Sequence, residues 1–345
     1  MNLERRNSVG LLLLVVALAI LFVLDLLSGS VSIPFFQSIS TLFDPSSADS
    51  QISAILFQFR IPKAITAVFA GAALSVAGLQ MQTIFRNPVA GPDILGVSSG
   101  ASLGVALFVL SAGWVFKGSL LFSIHGSLGI VIAAWIGAGC MMFLVVMIAS
   151  RLRDMMTVLI LGILVSGAVM AIVSVLQYFS SESSLKSFIV WTLGSLGSTT
   201  NDQLWVLVPS VCAGLGVAMF SSKFLDAFLL GENYAKSMGM NLKLAYLLTF
   251  ASTSILAGSV TAFCGPIGFV GIIVPHLARK VFRSSLHSKL IPVTMLMGAI
   301  VMLAGDLIAQ LPGYGTTLPI NSVTSLLGIP IVIWIIFKNK KIGAI

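Results

Sequence analysis

Residues 60–88 read RIPKAITAVFAGAALSVAGLQMQTIFRNP. No charged residue lies between Lys63 and Arg86. A helix that crosses a bilayer needs about 20 mostly apolar residues, and Ala64–Phe85 supplies them. Pro62 suits the first turn of such a helix, where a missing N–H costs nothing. Arg86-Asn-Pro88 ends it, because proline disfavours helical geometry in the residue before it.

The same signal recurs along the chain. Further spans are expected at 9–27, 94–110, 127–150, 156–179, 204–220, 244–263, 265–277, 290–311 and 318–337, which makes ten. Composition agrees. Of 345 residues, 57% are hydrophobic and 9% charged, against about one-quarter charged in a soluble domain. Mean hydropathy is +1.07. So few charges cannot cover a soluble globule of this size. The expected fold class is all-α, a polytopic membrane protein forming one transmembrane domain over residues 1–345.

Between the spans, residues 30–58 read as an irregular external loop. Residues 180–196 read as a surface-lying helix, where Trp191 suits the interface. The most polar internal segment is 221–243, with Lys223, Asp226, Glu232, Lys236 and Lys243. An even number of spans puts both termini on one side. Fifteen of the 19 Lys and Arg then share that side, and only Arg60, Lys63, Lys117 and Lys186 face the other. Basic loops stay cytoplasmic, so both termini are expected inside. The net charge of +8 has the same origin, and a nucleic-acid partner is not expected.

Small residues are dense within the spans, as in Ala70-Gly-Ala-Ala73, Gly100 with Gly104, and Gly137 with Gly139. Small residues four apart let helix backbones approach closely. Asp25 and Asp306 are carboxylates within spans, both near an outer end, where interface solvation or a structural hydrogen bond is expected. Cys140, Cys212 and Cys264 are far apart and form no CxxC pair, so neither a disulfide framework nor a zinc site is indicated. No GxxxxGK[ST], HExxH or GxSxG pattern occurs. His125, His276 and His287 read as isolated. A P-loop ATPase or hydrolase activity in this chain is not expected.

Four segments together resemble one family. The first is 60–101, from Arg60-Ile-Pro-Lys63 through Gly71–Gly78 to Arg86-Asn-Pro-Val-Ala-Gly-Pro-Asp-Ile-Leu-Gly96. The second is Leu230-Gly-Glu-Asn-Tyr-Ala235-Lys-Ser-Met-Gly239. The third is Gly265-Pro-Ile-Gly-Phe-Val-Gly271-Ile-Ile-Val-Pro275-His-Leu-Ala-Arg279. The fourth, Leu318–Pro330, fits more loosely. In this order they resemble the permease subunits of bacterial iron-siderophore, haem and vitamin B12 ABC importers, the FecCD-like type II importers.

The resemblance implies ten helices per subunit in the inner membrane and a homodimer. It also implies two ATP-binding subunits inside and a periplasmic substrate-binding protein outside. No cofactor would be bound by this chain, with ATP and Mg on the partner ATPase. Gly231, Glu232, Tyr234, Ala235, Lys236 and Gly239 would form the ATPase-coupling loop. Arg60 and Lys63 would dock the binding protein. Gln310 stands where the family carries a third docking arginine, and Thr317 where it carries an acid. Met155, Met156 and Thr157 would sit at the cytoplasmic gate. Asn87, Pro88 and Gly96 would form a rigid elbow before the third span. Gly268, Pro275 and His276 belong to the motif of the short eighth span, with His276 in a helix-terminal hydrogen bond. The implied cargo is a bulky metal chelate, with ferric siderophore or cobalamin favoured over haem because no His, Met or Tyr arrangement suggests axial ligation. An ion-coupled secondary transporter is the alternative.

Overall fold

The structure is a computed structural model, and it describes residues 3–29, 31, 33–43, 49–110, 126–151, 155–310 and 317–340. The chain runs through α1 (Leu3–Leu27), α2 (Phe35–Phe43), α3 (Ser50–Ala54), α4 (Ile61–Ile84), α5 (Val97–Val109), α6 (Gly126–Arg151) and α7 (Met155–Tyr178). It continues through α8 (Glu182–Thr192), α9 (Asn201–Phe220), α10 (Ser222–Leu230), α11 (Glu232–Ser237), α12 (Leu242–Cys264), α13 (Val270–Phe282), α14 (His287–Ala309) and α15 (Ile320–Lys340). The described residues contain no strand.

Seven helices among the described residues are long and apolar enough to cross a membrane. Val97–Val109 and Ile320–Ile335 are shorter apolar helices. With the 13-residue α13, these elements coincide with the ten expected spans. α8 occupies the place of the expected surface helix. The loop at 111–125 lies outside the described residues, and with it Lys117 and His125.

The second span differs from its sequence reading. Helix begins at Ser50, not at Ala64, and continues to Ile84. Asp49 caps the start, accepting from the Gln51 N–H at 3.1 Å. A π-helical turn over Ile55–Arg60 joins α3 to α4. Pro62 cannot donate to a carbonyl one turn back, and a wide turn just before it lets the helix continue. The segment read as an irregular loop therefore extends the helix that carries Arg60 and Lys63.

α4 is the central rod. In its most apolar window 83% is buried, against 11% in α1. It packs against α14, α13, α12 and α9. Its small residues permit this. A Cβ at Gly78 would overlap the Gly271 carbonyl on α13, and a Cβ at Gly71 would overlap the Gly298 carbonyl on α14. α5 and α6 cross in the same way, with Gly100 and Gly104 against Gly137 and Ala133. Gly139 faces open space, so its place in the small-residue pattern is not a contact within this chain.

A substitution pair tests this. Overpacking costs about 1–3 kcal/mol, so Gly78→Ala is expected to lower the thermal midpoint in detergent. Gly139→Ala is expected to leave it unchanged or raise it, because alanine is the better helix former.

Candidate functional site

Two polar clusters occupy opposite ends of the α4–α14 pair. The first lies at the end expected to be cytoplasmic. α10 ends at Gly231, whose φ of +116° is open to glycine and strained for a side chain. α11 follows at once, and Gly239, at φ +80°, turns the chain toward α12. Asn241 starts α12 by accepting from the Leu244 N–H at 3.1 Å. The expected coupling residues thus fall on a compact knob of two short helices.

The knob has an inner and an outer face. Ala235 is fully buried, and its N–H donates to the Gly231 carbonyl at 2.9 Å. Phe228 stacks on Tyr246 of α12 at 4.8 Å between ring centroids. Outward, Leu230 and Met238 are each 66% exposed and Tyr234 is 53% exposed. Lys236 is exposed and Glu232 half-buried.

The elbow lies beside it. Asn87 Oδ1 accepts from the Val89 N–H at 3.0 Å, a side-chain-closed turn that includes Pro88. A short 3₁₀ turn, Pro92–Leu95, then leads to Gly96 and α5. Arg86 reaches the knob, donating to the Phe228 carbonyl at 2.9 Å. Gly268 precedes α13, and its N–H donates to Asn321 Oδ1 at 3.1 Å. Pro275 is buried inside α13, and His276 is half-buried one residue on; α13 runs over Val270–Phe282, so His276 lies mid-helix and not at the helix terminus expected for it. Met155 opens α7; Met156 is exposed and Thr157 half-buried. The connection at 152–154 lies outside the described residues.

The opposite end corrects one expectation. Arg60 was expected to face outward for docking, yet it is 4% exposed. Its guanidinium donates to the carbonyls of Leu26 and Leu27 at 3.0 Å and of Val31 at 2.5 Å. The reason is local. The π-helical turn aims Arg60 at the end of α1, where the last carbonyls have no helical partner. Lys63 is also engaged. Its ammonium lies 2.6 Å from Asp306 Oδ2 and 3.6 Å from Asp25 Oδ1.

Of the two expectations for Asp25 and Asp306, the structural hydrogen bond holds and interface solvation does not: they are 0% and 6% exposed. Gln310 completes the cluster, donating to Asp25 at 3.0 Å and to Asp306 at 2.6 Å. One lysine and one amide therefore join α1, α4 and α14. Beside them opens a cavity of about 470 Å³, lined by Arg60, Lys63, Asp306, Gln310 and Thr317 among others.

Sequence reading missed this assembly, because α1, α4 and the end of α14 contribute to it with no shared motif. It also missed the partners of His287, which is hydrogen-bonded to Asp226 and Thr83.

A bundle of apolar helices with small-residue crossings, a built polar knob at one end and a cavity at the other defines a polytopic transport protein. The chain belongs to the FecCD transport family, whose model matches residues 17–338. It is thus a permease of the FecCD-like type II ABC importer class. It is 30% identical to the vitamin B12 import system permease BtuC of Klebsiella pneumoniae, covering 99% of this chain and 97% of that one. It is 34% identical to the molybdate import system permease MolB of Haemophilus influenzae, over 84% and 82% of the two chains. Among solved structures, an inward-facing metal-chelate type ABC transporter matches with a TM-score of 0.81 and 29% identity, covering 96% of this chain and 99% of that chain.

Removing one partner from a buried ion pair leaves an uncompensated charge, at a cost of about 3–5 kcal/mol. Lys63→Met is expected to lower the thermal midpoint in detergent. Adding Asp306→Asn, which removes one of the stranded charges, is expected to recover part of the loss.

Proposed function

We propose that this chain is the membrane-spanning subunit of an ATP-driven importer in the bacterial inner membrane, with both termini cytoplasmic. Residues 1–345 act as one permease domain, and two copies form the pathway. Two ATPase subunits seat on 221–243 of each half of the dimer, one per copy, and bring ATP and Mg. The chain itself holds no cofactor and performs no hydrolysis. A periplasmic binding protein delivers cargo to the opposite face.

The observation that carries this reading is the knob of α10 and α11. Gly231 and Gly239 fix its turns, Ala235 anchors it, and Leu230, Tyr234 and Met238 stand exposed in a segment otherwise rich in Lys, Asp and Asn. Glu232 and Lys236 supply polar contacts at its rim. Side chains of that kind in a cytoplasmic loop fit a protein partner better than water.

At the outer face we assign docking to the rim of the cavity. Lys63 is reachable there, whereas Arg60 supports the rim by holding the end of α1. Met155, Met156 and Thr157 are assigned to the cytoplasmic gate. The 87–96 elbow, Gly268 and the Pro275-His276 motif are assigned to holding α5 and α13 in register.

The cargo is assigned to the metal chelates, with cobalamin or a ferric siderophore first and haem next. A relative named for vitamin B12 and a structural neighbour named for metal chelates support that class. The relative named for molybdate shows that similar permeases serve a small oxyanion as well, so molybdate belongs among the candidates.

The test is uptake into vesicles holding this chain, its ATPase and its binding protein. Labelled cyanocobalamin, ferrichrome, haemin and molybdate are offered with and without ATP. One of the four is expected to enter only with ATP. Gly231→Val with Glu232→Ala is expected to reduce that uptake at least tenfold, the loss that follows if roughly 1.4 kcal/mol of ATPase docking is removed. Uptake that ignores ATP and follows an ion gradient would defeat the reading and favour an ion-coupled secondary transporter.

A further inference from the structure

Beneath the knob, a chain of hydrogen bonds joins four helices. Asp226 of α10 accepts twice from the first residue of α14, from the His287 backbone N–H at 2.8 Å and from ring Nδ1 at 2.7 Å. The other ring nitrogen, Nε2, lies 2.9 Å from the Thr83 hydroxyl in the last turn of α4; the hydrogen of that hydroxyl is also within reach of the Leu79 carbonyl at 2.8 Å. Arg279 of α13 donates to that hydroxyl at 3.3 Å and to Gln82 Oε1 at 2.7 Å. Gln82 Nε2 then donates to the Ile272 carbonyl at 2.9 Å. His287 and Thr83 are each 1% exposed.

The order carboxylate, imidazole, hydroxyl is that of acyl-transfer triads. Chemistry is nevertheless excluded here. The hydroxyl is sealed inside the bundle and carries the Arg279 guanidinium, so no substrate carbonyl can reach it. What the chain does provide is direction. A carboxylate only accepts, so its contact with Nδ1 fixes which ring nitrogen carries hydrogen and how the ring is turned. Apolar contact alone would hold α10 on the bundle, but it is non-directional and permits sliding. Hydrogen bonds weaken steeply with angle and distance, so a shift of α10 must either break this chain or drag its partners along.

A second tie runs alongside. Arg86, one turn beyond Thr83, grips the Phe228 carbonyl of α10. α10 is thereby fixed to the end of α4 at two points. α4 and α14 are antiparallel and tied again at their far ends, where Lys63 meets Asp306. A displacement entering at Asp226 therefore has a continuous route to the outer cavity.

We propose that the Asp226–His287–Thr83–Arg279 chain is the transmission that couples movement of the knob to α4, α13 and α14, with His287 and Thr83 as positioning residues. This rests on the knob being the ATPase contact. Hydrogen-bond networks between rigid helices are one physical carrier of such coupling, and this chain is such a network.

The experiment measures ATP turnover and uptake on the same vesicles. They hold the full complex and whichever of labelled cyanocobalamin, ferrichrome, haemin or molybdate the unaltered complex transports. Thr83→Val keeps the side-chain shape and removes the hydroxyl, whereas Thr83→Ser keeps the hydroxyl. Uptake per ATP is expected to fall at least about fivefold in Thr83→Val, the lower bound of a typical coupling energy, with turnover changed by less than about twofold. Thr83→Ser is expected to retain the original ratio.

A hydroxyl with a merely structural role would reduce the yield of folded complex and leave the ratio unchanged in what survives. That result overturns the proposal, as does a fall of turnover and uptake in step. If Thr83→Val yields no complex, His287→Gln gives the same reading of the ratio. An unaltered complex that transports none of the four with ATP defeats the importer reading, and the transmission with it. ATP-driven uptake with an unchanged ratio in the variants defeats the transmission alone.

Discussion

The backbone contact of α4 with α13 and α14 sets the geometry on which everything else depends. Within a bilayer, helices gain little from the hydrophobic effect by associating, because lipid tails are as apolar as their side chains. Association must come from close packing and from polar links. Gly78 against Gly271 and Gly71 against Gly298 bring the backbones together where any Cβ would overlap a carbonyl. That closeness puts Thr83 within reach of His287, and Lys63 within reach of Asp306, at the two ends of one helix pair. Larger residues at these crossings would separate the helices and stretch both links.

Two groups of buried polar side chains stand at opposite ends of the α4–α14 pair. An unpaired buried polar atom costs free energy; most atoms of these groups have partners, while Asp25 Oδ2 and Gln310 Oε1 have none among the described residues. At one end, Arg60 takes up the terminal carbonyls of α1, while Lys63 and Gln310 hold the two acids. At the other, Asp226, His287, Thr83 and Arg279 form a connected chain that continues to Gln82. Helix interiors between these ends are joined mainly by small-residue contact. Such a body is stiff along α4 and α14 and specified at its ends, which suits a protein that must respond at one face to events at the other.

Much of this was legible in the sequence. Apolar length identified the spans, because their composition follows from the cost of placing charge in hydrocarbon. The turns of the α10–α11 knob were legible through Gly231 and Gly239. What misled was the neighbourhood of Pro62. Proline read as a helix start, whereas a π-helical turn before it carries the helix back to Ser50. That difference rotates Arg60 into the protein and takes it out of the outer face.

The sequence by itself determined a multi-pass helical bundle, its family and the place of the knob, since these rest on local hydropathy, charge and turn-forming residues. Only the tertiary structure decided the partners of the polar residues. Asp25, Lys63 and the Asp306–Gln310 pair are far apart in the chain, as are Thr83, Asp226 and the 279–287 segment. A side chain's charge is written in its own residue, but its counter-ion is chosen by how helices cross, and the crossings are set by glycines elsewhere in the same helices.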